Sequence, residues 1–151
     1  GPGTGIAPFR GMIRERAEDQ QSSSGPIWLF FGNRHEDLDF LYRDEIQRYR
    51  STGILSQLEL AFSRDQATKH YVQDRIDARA EELSKLLCAK NTHVYVCGDG
   101  GGMASDVHRA LCRALENHGN MSGADAENYL QKLSKSGRYL KDIWFWGSTD
   151  E

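Results

Sequence analysis

Apolar positions along the chain alternate between two rhythms, short unbroken runs and stripes at helical spacing, and the alternation itself predicts the fold class. From Ala7 the spacing is helical: Phe9, Met12 and Ile13 share a face, and Pro8 sits where a first turn tolerates it. Gln20 to Gly25 is a polar, serine-rich loop. Ile27 to Phe31 is a continuous apolar run closed by Gly32, as expected of a strand buried on both faces. Asp37 to Arg50 predicts a helix with Leu38, Leu41, Tyr42 and Ile46 on its stripe and Gly53 beyond its end. A strand follows at Leu58 to Phe62. A long helix is predicted over Val72 to Ala89, then a buried strand over Val94 to Cys97 that ends in Gly98-Asp99-Gly100-Gly101-Gly102. Met103 to Glu116 and Ala124 to Leu133 are two more helices, and Arg138 to Trp146 reads as a closing strand.

Strands alternating with helices, without an internal repeat, predict an α/β, Rossmann-like parallel sheet with helices on both faces. At 151 residues, 38% of them hydrophobic, the chain suits one domain spanning 1–151. The opening Gly1-Pro2-Gly3-Thr4-Gly5 is turn chemistry that normally follows a strand. The first strand is therefore expected to be missing, and the chain to be a fragment. Nineteen Lys+Arg against 22 Asp+Glu leave a net charge of −3, which gives no overall basic field to recruit nucleic acid or an anionic membrane. Cys88, Cys97 and Cys112 form no C-x-x-C pair, so a disulfide scaffold or zinc ribbon is not expected. The histidines are scattered and point to no metal site, and Cys112, on a helix, reads as packing.

In an open parallel sheet, ligands bind where strands end and helices begin. Four clusters lie at such points, and each also has a plain structural reading. Gly3-Thr4-Gly5, before a helix, suits either a phosphate cradle or a simple tight turn. Ser63 and Arg64, with Lys69, Tyr71 and Gln73, offer a guanidinium fork, an ammonium and hydroxyls to an adenosine 2′-phosphate, or else form a solvated loop. Cys97 and Asp99 end a buried strand, where a thiol is commonly inert packing. Asp142 and Trp144 close the chain, where a tryptophan is ordinarily a core plug.

Taken in order, the stretches GPGTGIAPFRGMI (1–13), FFGNRHEDLDFLYRDEI (30–46), LAFSRDQATKHYVQDRI (60–76), VYVCGDGGGMASDV (94–107) and GRYLKDIW (137–144) resemble the NADPH-binding C-terminal lobe of the diflavin reductases. This group, within the ferredoxin–NADP reductase superfamily, includes the cytochrome reductases of microsomal monooxygenases, methionine synthase reductase and the sulfite reductase flavoproteins. The resemblance implies that Gly3, Thr4, Gly5 and Arg34 contact the coenzyme phosphates. It implies that Ser63, Arg64, Lys69 and Tyr71 hold the 2′-phosphate, with Gln73 adjoining. It places Asp99 beside the nicotinamide, has Cys97 and Asp142 orient that ring for hydride transfer, and makes Trp144 the aromatic that stacks over the flavin and moves aside.

The whole protein is then expected to be an NADPH-dependent flavoprotein reductase. NADPH would supply FAD, then FMN, then an acceptor such as a haem or other redox protein, with the FAD- and FMN-binding domains on the same polypeptide. The chain alone is expected to bind NADP(H) without turning over. A cytoplasmic setting follows, or the cytosolic face of a membrane, with no membrane contact from this segment. Two alternatives stand beside this reading: the lobe of a single-flavin ferredoxin–NADP-type reductase, and a non-catalytic NADPH-binding or interaction module. Two departures from the family pattern are the glycines at 100–102 and the tail beyond Trp144, in which Trp146 competes as the stacking residue.

Overall fold

The computed structural model describes residues 2–19 and 25–145. Its chain divides into two compact units, Gly1–Val72 and Gln73–Glu151, and each is built on a pair of parallel strands joined by two helices.

In the first unit a 3-10 turn (Gly3–Ile6) leads into α1 (Ala7–Glu18), with Pro8 in the helix's first turn. Strand β1 (Trp28–Asn33) is followed by α2 (Glu36–Asp39), α3 (Arg43–Ser51) and β2 (Gln57–Phe62). β1 and β2 pair in parallel, from Trp28 opposite Gln57 to Asn33 opposite Phe62. Leu29 and Phe31 are buried whereas Trp28 and Phe30 are half-buried, so the apolar run is not covered equally on its two faces.

The helix predicted over Asp37 to Arg50 is interrupted. Phe40 turns inward, stacks on Phe31 at 5.4 Å between ring centroids and lies 5.6 Å from Phe62. Tyr42 then takes a left-handed conformation (φ 57°) before α3 begins. Leu38, Leu41 and Tyr42, expected on the buried stripe, are exposed, and Phe40 takes the core position instead. The Arg10 guanidinium covers the Tyr42 ring at 4.4 Å and donates to Glu45 at 2.6 Å, tying α1 to α3. That bond holds the Glu45 carboxyl below its usual range.

The second unit takes in nearly all of α4 (Val72–Ala78), then α5 (Ala80–Cys88), β3 (Val94–Asp99), α6 (Met103–His118), α7 (Gly123–Lys135) and β4 (Tyr139–Trp144). The long helix predicted over Val72 to Ala89 is broken at Arg79 (φ −114°, ψ 20°), and nothing in the local sequence explains the break. α6 buries Ala104, Val107, Ala110, Leu111, Ala114 and Leu115, a stripe at i, i+3, i+4 and i+7 spacing that packs on α5, β3 and α7. Ser122 caps α7 by accepting from the Asp125 backbone N–H at 3.2 Å. β3 and β4 run parallel, from Val94 opposite Tyr139 to Asp99 opposite Trp144. No helix among the described residues is long and apolar enough to cross a membrane.

Candidate functional site

Parallel strands end side by side, so the loops leaving β1 and β2 emerge together. Their hydrogen bonding continues past the strands: the Ser63 N–H donates to the Asn33 carbonyl and the Arg64 N–H to the Arg34 carbonyl, both at 2.9 Å. The Ser63 hydroxyl also reaches the Asn33 carbonyl at 3.4 Å. Arg34, Ser63 and Arg64, distant in sequence, are thereby fixed as neighbours. Arg34 and Arg64 are exposed, as is Lys69 on the segment leading to Val72. None of these three side chains has a hydrogen-bond or ion-pair partner among the described residues, whereas Arg10, Arg14, Arg16 and Arg43 of the same unit are all engaged. Unpaired cations at adjoining strand ends are what an incoming phosphate requires. Tyr71 is exposed on the same segment.

Asp65, which no motif in the sequence flags, locks the two loops together. Its carboxylate pairs with His35 Nδ1 at 2.8 Å and accepts from the Glu36 backbone N–H at 2.7 Å. These contacts, the Glu36 N–H first and His35 second, hold the Asp65 carboxyl below its usual range. A carboxylate among these cations looks unfavourable for anion binding in a sequence; the structure shows it engaged with the neighbouring loop. Asn33 completes the arrangement, donating from Nδ2 to the Asp39 carbonyl and accepting the Arg34 N–H at Oδ1, each at 2.9 Å.

The glycine-rich turn adjoins this region, because Pro2 forms a parallel bridge with Gly32 at the end of β1. Gly3 has φ +53°, a left-handed conformation that favours glycine. Thr4 is exposed, Gly5 is buried, and no side chain caps the start of α1. Gln73 follows Tyr71 by two residues at the start of α4. It lies in the second unit and donates to the Asp106 carboxylate at 3.2 Å.

In the second unit, Cys97 and Asp142 are register partners, and so are Asp99 and Trp144. Side chains two residues apart on a strand share a face, so the ladder sets all four on one side of the β3–β4 pair. The Cys97 thiol donates to Asp142 Oδ2, with the sulfur 3.8 Å from the oxygen. Burial, reinforced by the negative charge of Asp142, pushes the Cys97 pKa up. The group is therefore a neutral thiol able to donate a hydrogen bond, not a thiolate nucleophile. Asp99 accepts from the Gly101 N–H at 3.1 Å, which shapes the turn into α6.

Trp144 is half-buried, and its carbonyl accepts the Gly100 N–H at 2.7 Å. The Phe145 ring lies so close to Gly100 that a Cβ there would meet it at 2.8 Å. A side chain at position 100 would therefore require the exposed Phe145 ring to shift. Trp146 and the tail after it lie outside the described residues.

Residues 1–109 match the family model described as the oxidoreductase NAD-binding domain. Over 144 residues the chain is 50% identical to the sulfite reductase (NADPH) flavoprotein alpha-component of Photobacterium profundum. It is 47% identical to the protein of the same name from Vibrio vulnificus, and 46% identical to that from Aliivibrio fischeri. Each match covers 95% of this chain but only 23% of the relative, so the chain spans about a quarter of the length of these curated relatives.

Proposed function

The chain belongs to the oxidoreductase NAD-binding domain family, and on that premise we propose that residues 1–151 are the NADP(H)-binding domain of an NADPH-dependent diflavin reductase. The observation that carries the choice of NADP(H) is the hydrogen-bonded junction of Arg34, Ser63 and Arg64, whose cations have no partner among the described residues. A dinucleotide domain selecting NAD usually presents an acidic group to the ribose 2′-hydroxyl. Here the acidic residue at the junction, Asp65, is already committed to His35 and Glu36.

Bound NADPH supplies a hydride. In this reading Ser63, Arg64 and Lys69 bind the 2′-phosphate, Tyr71 lies against the adenosine, and Gly3, Thr4, Gly5 and Arg34 offer donors to the bridging phosphates. Cys97 gives its one S–H to Asp142, whose carboxylate keeps lone pairs free to accept from the carboxamide, so the pair orients that group without exchanging a proton with it. Trp144 shields one face of the flavin until the nicotinamide arrives, and Asp99 holds the turn that supports this arrangement. The adenosine-phosphate contacts supply binding energy that favours displacement of the ring. FAD and FMN belong to domains elsewhere in the polypeptide. A flavoprotein alpha-component implies a further component, and the acceptor is proposed to be a haem or other redox protein on the cytoplasmic side.

The single-flavin alternative shares the coenzyme-binding lobe but lacks the FMN domain. A non-catalytic module has no need of the paired Cys97 and Asp142. Rapid mixing of the full-length protein with NADPH or with NADH tests the proposal. Flavin bleaching should be markedly faster with NADPH at equal concentration. Equal rates with the two coenzymes, or no bleaching at all, would contradict it.

A further inference from the structure

A second set of chemistry-bearing side chains lies on α6 and α7 and takes no part in the proposed reaction. His108 and Cys112 are four residues apart on α6 and so point from the same face. Glu127 reaches them from α7. The ligating atoms of the three lie within 4.8 Å of one another. His108 Nε2 is 2.8 Å from Glu127 Oε2, and Cys112 Sγ is 3.6 Å from the same oxygen.

We propose that His108, Cys112 and Glu127 form a binding site for a borderline-soft divalent cation, zinc being the best match. Zinc takes imidazole nitrogen at about 2.0–2.1 Å, thiolate sulfur at about 2.3 Å and carboxylate oxygen at about 2.0–2.2 Å, so tetrahedral edges come to about 3.6 Å for S···O and about 3.4 Å for N···O. The observed S···O separation already meets its edge. The N···O pair has to open by roughly half an ångström, as a hydrogen bond gives way to two coordinate bonds. A mixed nitrogen, sulfur and oxygen donor set selects zinc over magnesium or calcium, which prefer all-oxygen sites.

The surroundings also fit a metal site. Ligating histidines characteristically donate their other ring N–H to a fixed acceptor. His108 Nδ1 lies 3.3 Å from the hydroxyl of Tyr139, whose buried ring is stacked nearly parallel to the imidazole. Glu127 Oε1 accepts from Gln131 Nε2 at 3.1 Å, which orients the carboxylate. The Glu127 side chain is 45% exposed and that of His108 21%, so a cation has a route in from solvent. Burial and then Glu127 raise the Cys112 pKa to about 11. That disfavours a role for Cys112 as a free redox nucleophile, and a bound dication reverses the local electrostatics. With three protein ligands, the fourth position is left for water or a small anion, and the bound ion would cross-link α6 to α7.

The test is metal uptake by the reduced 151-residue chain. Zinc affinity is measured by competition with a chromophoric chelator, and cobalt(II) reports ligand type by its absorption. One ion per chain and a thiolate-to-cobalt charge-transfer band are expected. Cys112→Ser should abolish the band. His108→Gln and Glu127→Gln should each weaken zinc binding at least tenfold while circular dichroism stays unchanged, and Cys88→Ser should leave the affinity as it was. If the folded chain takes up no zinc, or if Cys112→Ser and Glu127→Gln bind as tightly as the parent, the three residues form a hydrogen-bonded cluster and the proposal fails.

Discussion

Cys97 and Asp142 stand opposite each other in the parallel β3–β4 ladder, and the thiol donates to the carboxylate across 3.8 Å. The register makes this contact: a slip of one residue would turn one of the two side chains to the other face.

If the pair only orients the nicotinamide, then in the full-length protein Cys97→Ala or Asp142→Asn should slow hydride transfer on the order of 10- to 100-fold while coenzyme affinity changes little. Single-turnover flavin reduction separates the two quantities. A raised thiol pKa leaves Cys97 protonated through its ordinary value of 9.0, so it should contribute no step to the rate profile below that pH. The same shift has a stability consequence. Above pH 9.0 the unfolded chain loses the thiol proton before the folded one does, so the contribution of Cys97 to stability declines as pH rises further. A rate that rises with a thiol ionisation below pH 9.0 would mean that the thiolate is the working form.

Asp65 gives a test whose sign distinguishes two roles. As a bare negative charge beside a phosphate site, it should hinder binding, and Asp65→Ala should tighten the complex with 2′,5′-ADP. As the lock between the loops leaving β1 and β2, it should help, and the same variant should weaken binding by about tenfold or less. The hydrogen bonds to His35 and Glu36 predict the second outcome, which calorimetry can read.

Phe40 and Leu38 exchange the roles that helical periodicity would give them. Phe40→Ala should cost about 3–5 kcal/mol, as expected of a buried aromatic, and Leu38→Ala should change stability by no more than about 0.5 kcal/mol. Urea unfolding of the two variants measures both values. The reverse ranking would restore the continuous helix that the apolar spacing suggests.

Trp144 is predicted to gate access to the flavin. In the full-length protein, Trp144→Ala should raise the activity with NADH relative to NADPH, because nicotinamide no longer competes with a stacked indole. Steady-state kinetics with both coenzymes would show it. An unchanged preference would shift the role to Trp146.

The parallel strands and the helices from Met103 onward were legible because their apolar residues keep to the strand runs and helical stripes. The α2–α3 segment was not, since Phe40 lies off the 3.6-residue stripe and only the nearby Phe31 and Phe62 rings reveal where it belongs. The proposed site residues could be chosen from residue type and order alone. Their grouping could not: Arg34 meets Arg64 only through the β1–β2 register. Asp65 was not legible because its sign is wrong for a phosphate site until its partners are known. His108 and Cys112 share the i, i+4 spacing of one helix face, but Glu127 comes from a separate helix, so the three do not read as one set.

The preference for a 2′-phosphate is tested most directly by titrating the chain with 2′,5′-ADP and with 5′-AMP, before and after Arg64→Ala. The parent should bind the bisphosphate on the order of 10- to 100-fold more tightly, the range expected for charge-assisted hydrogen bonds, and Arg64→Ala should erase most of that margin. Equal affinity of the parent chain for the two nucleotides would contradict the assignment of NADP(H) to this domain.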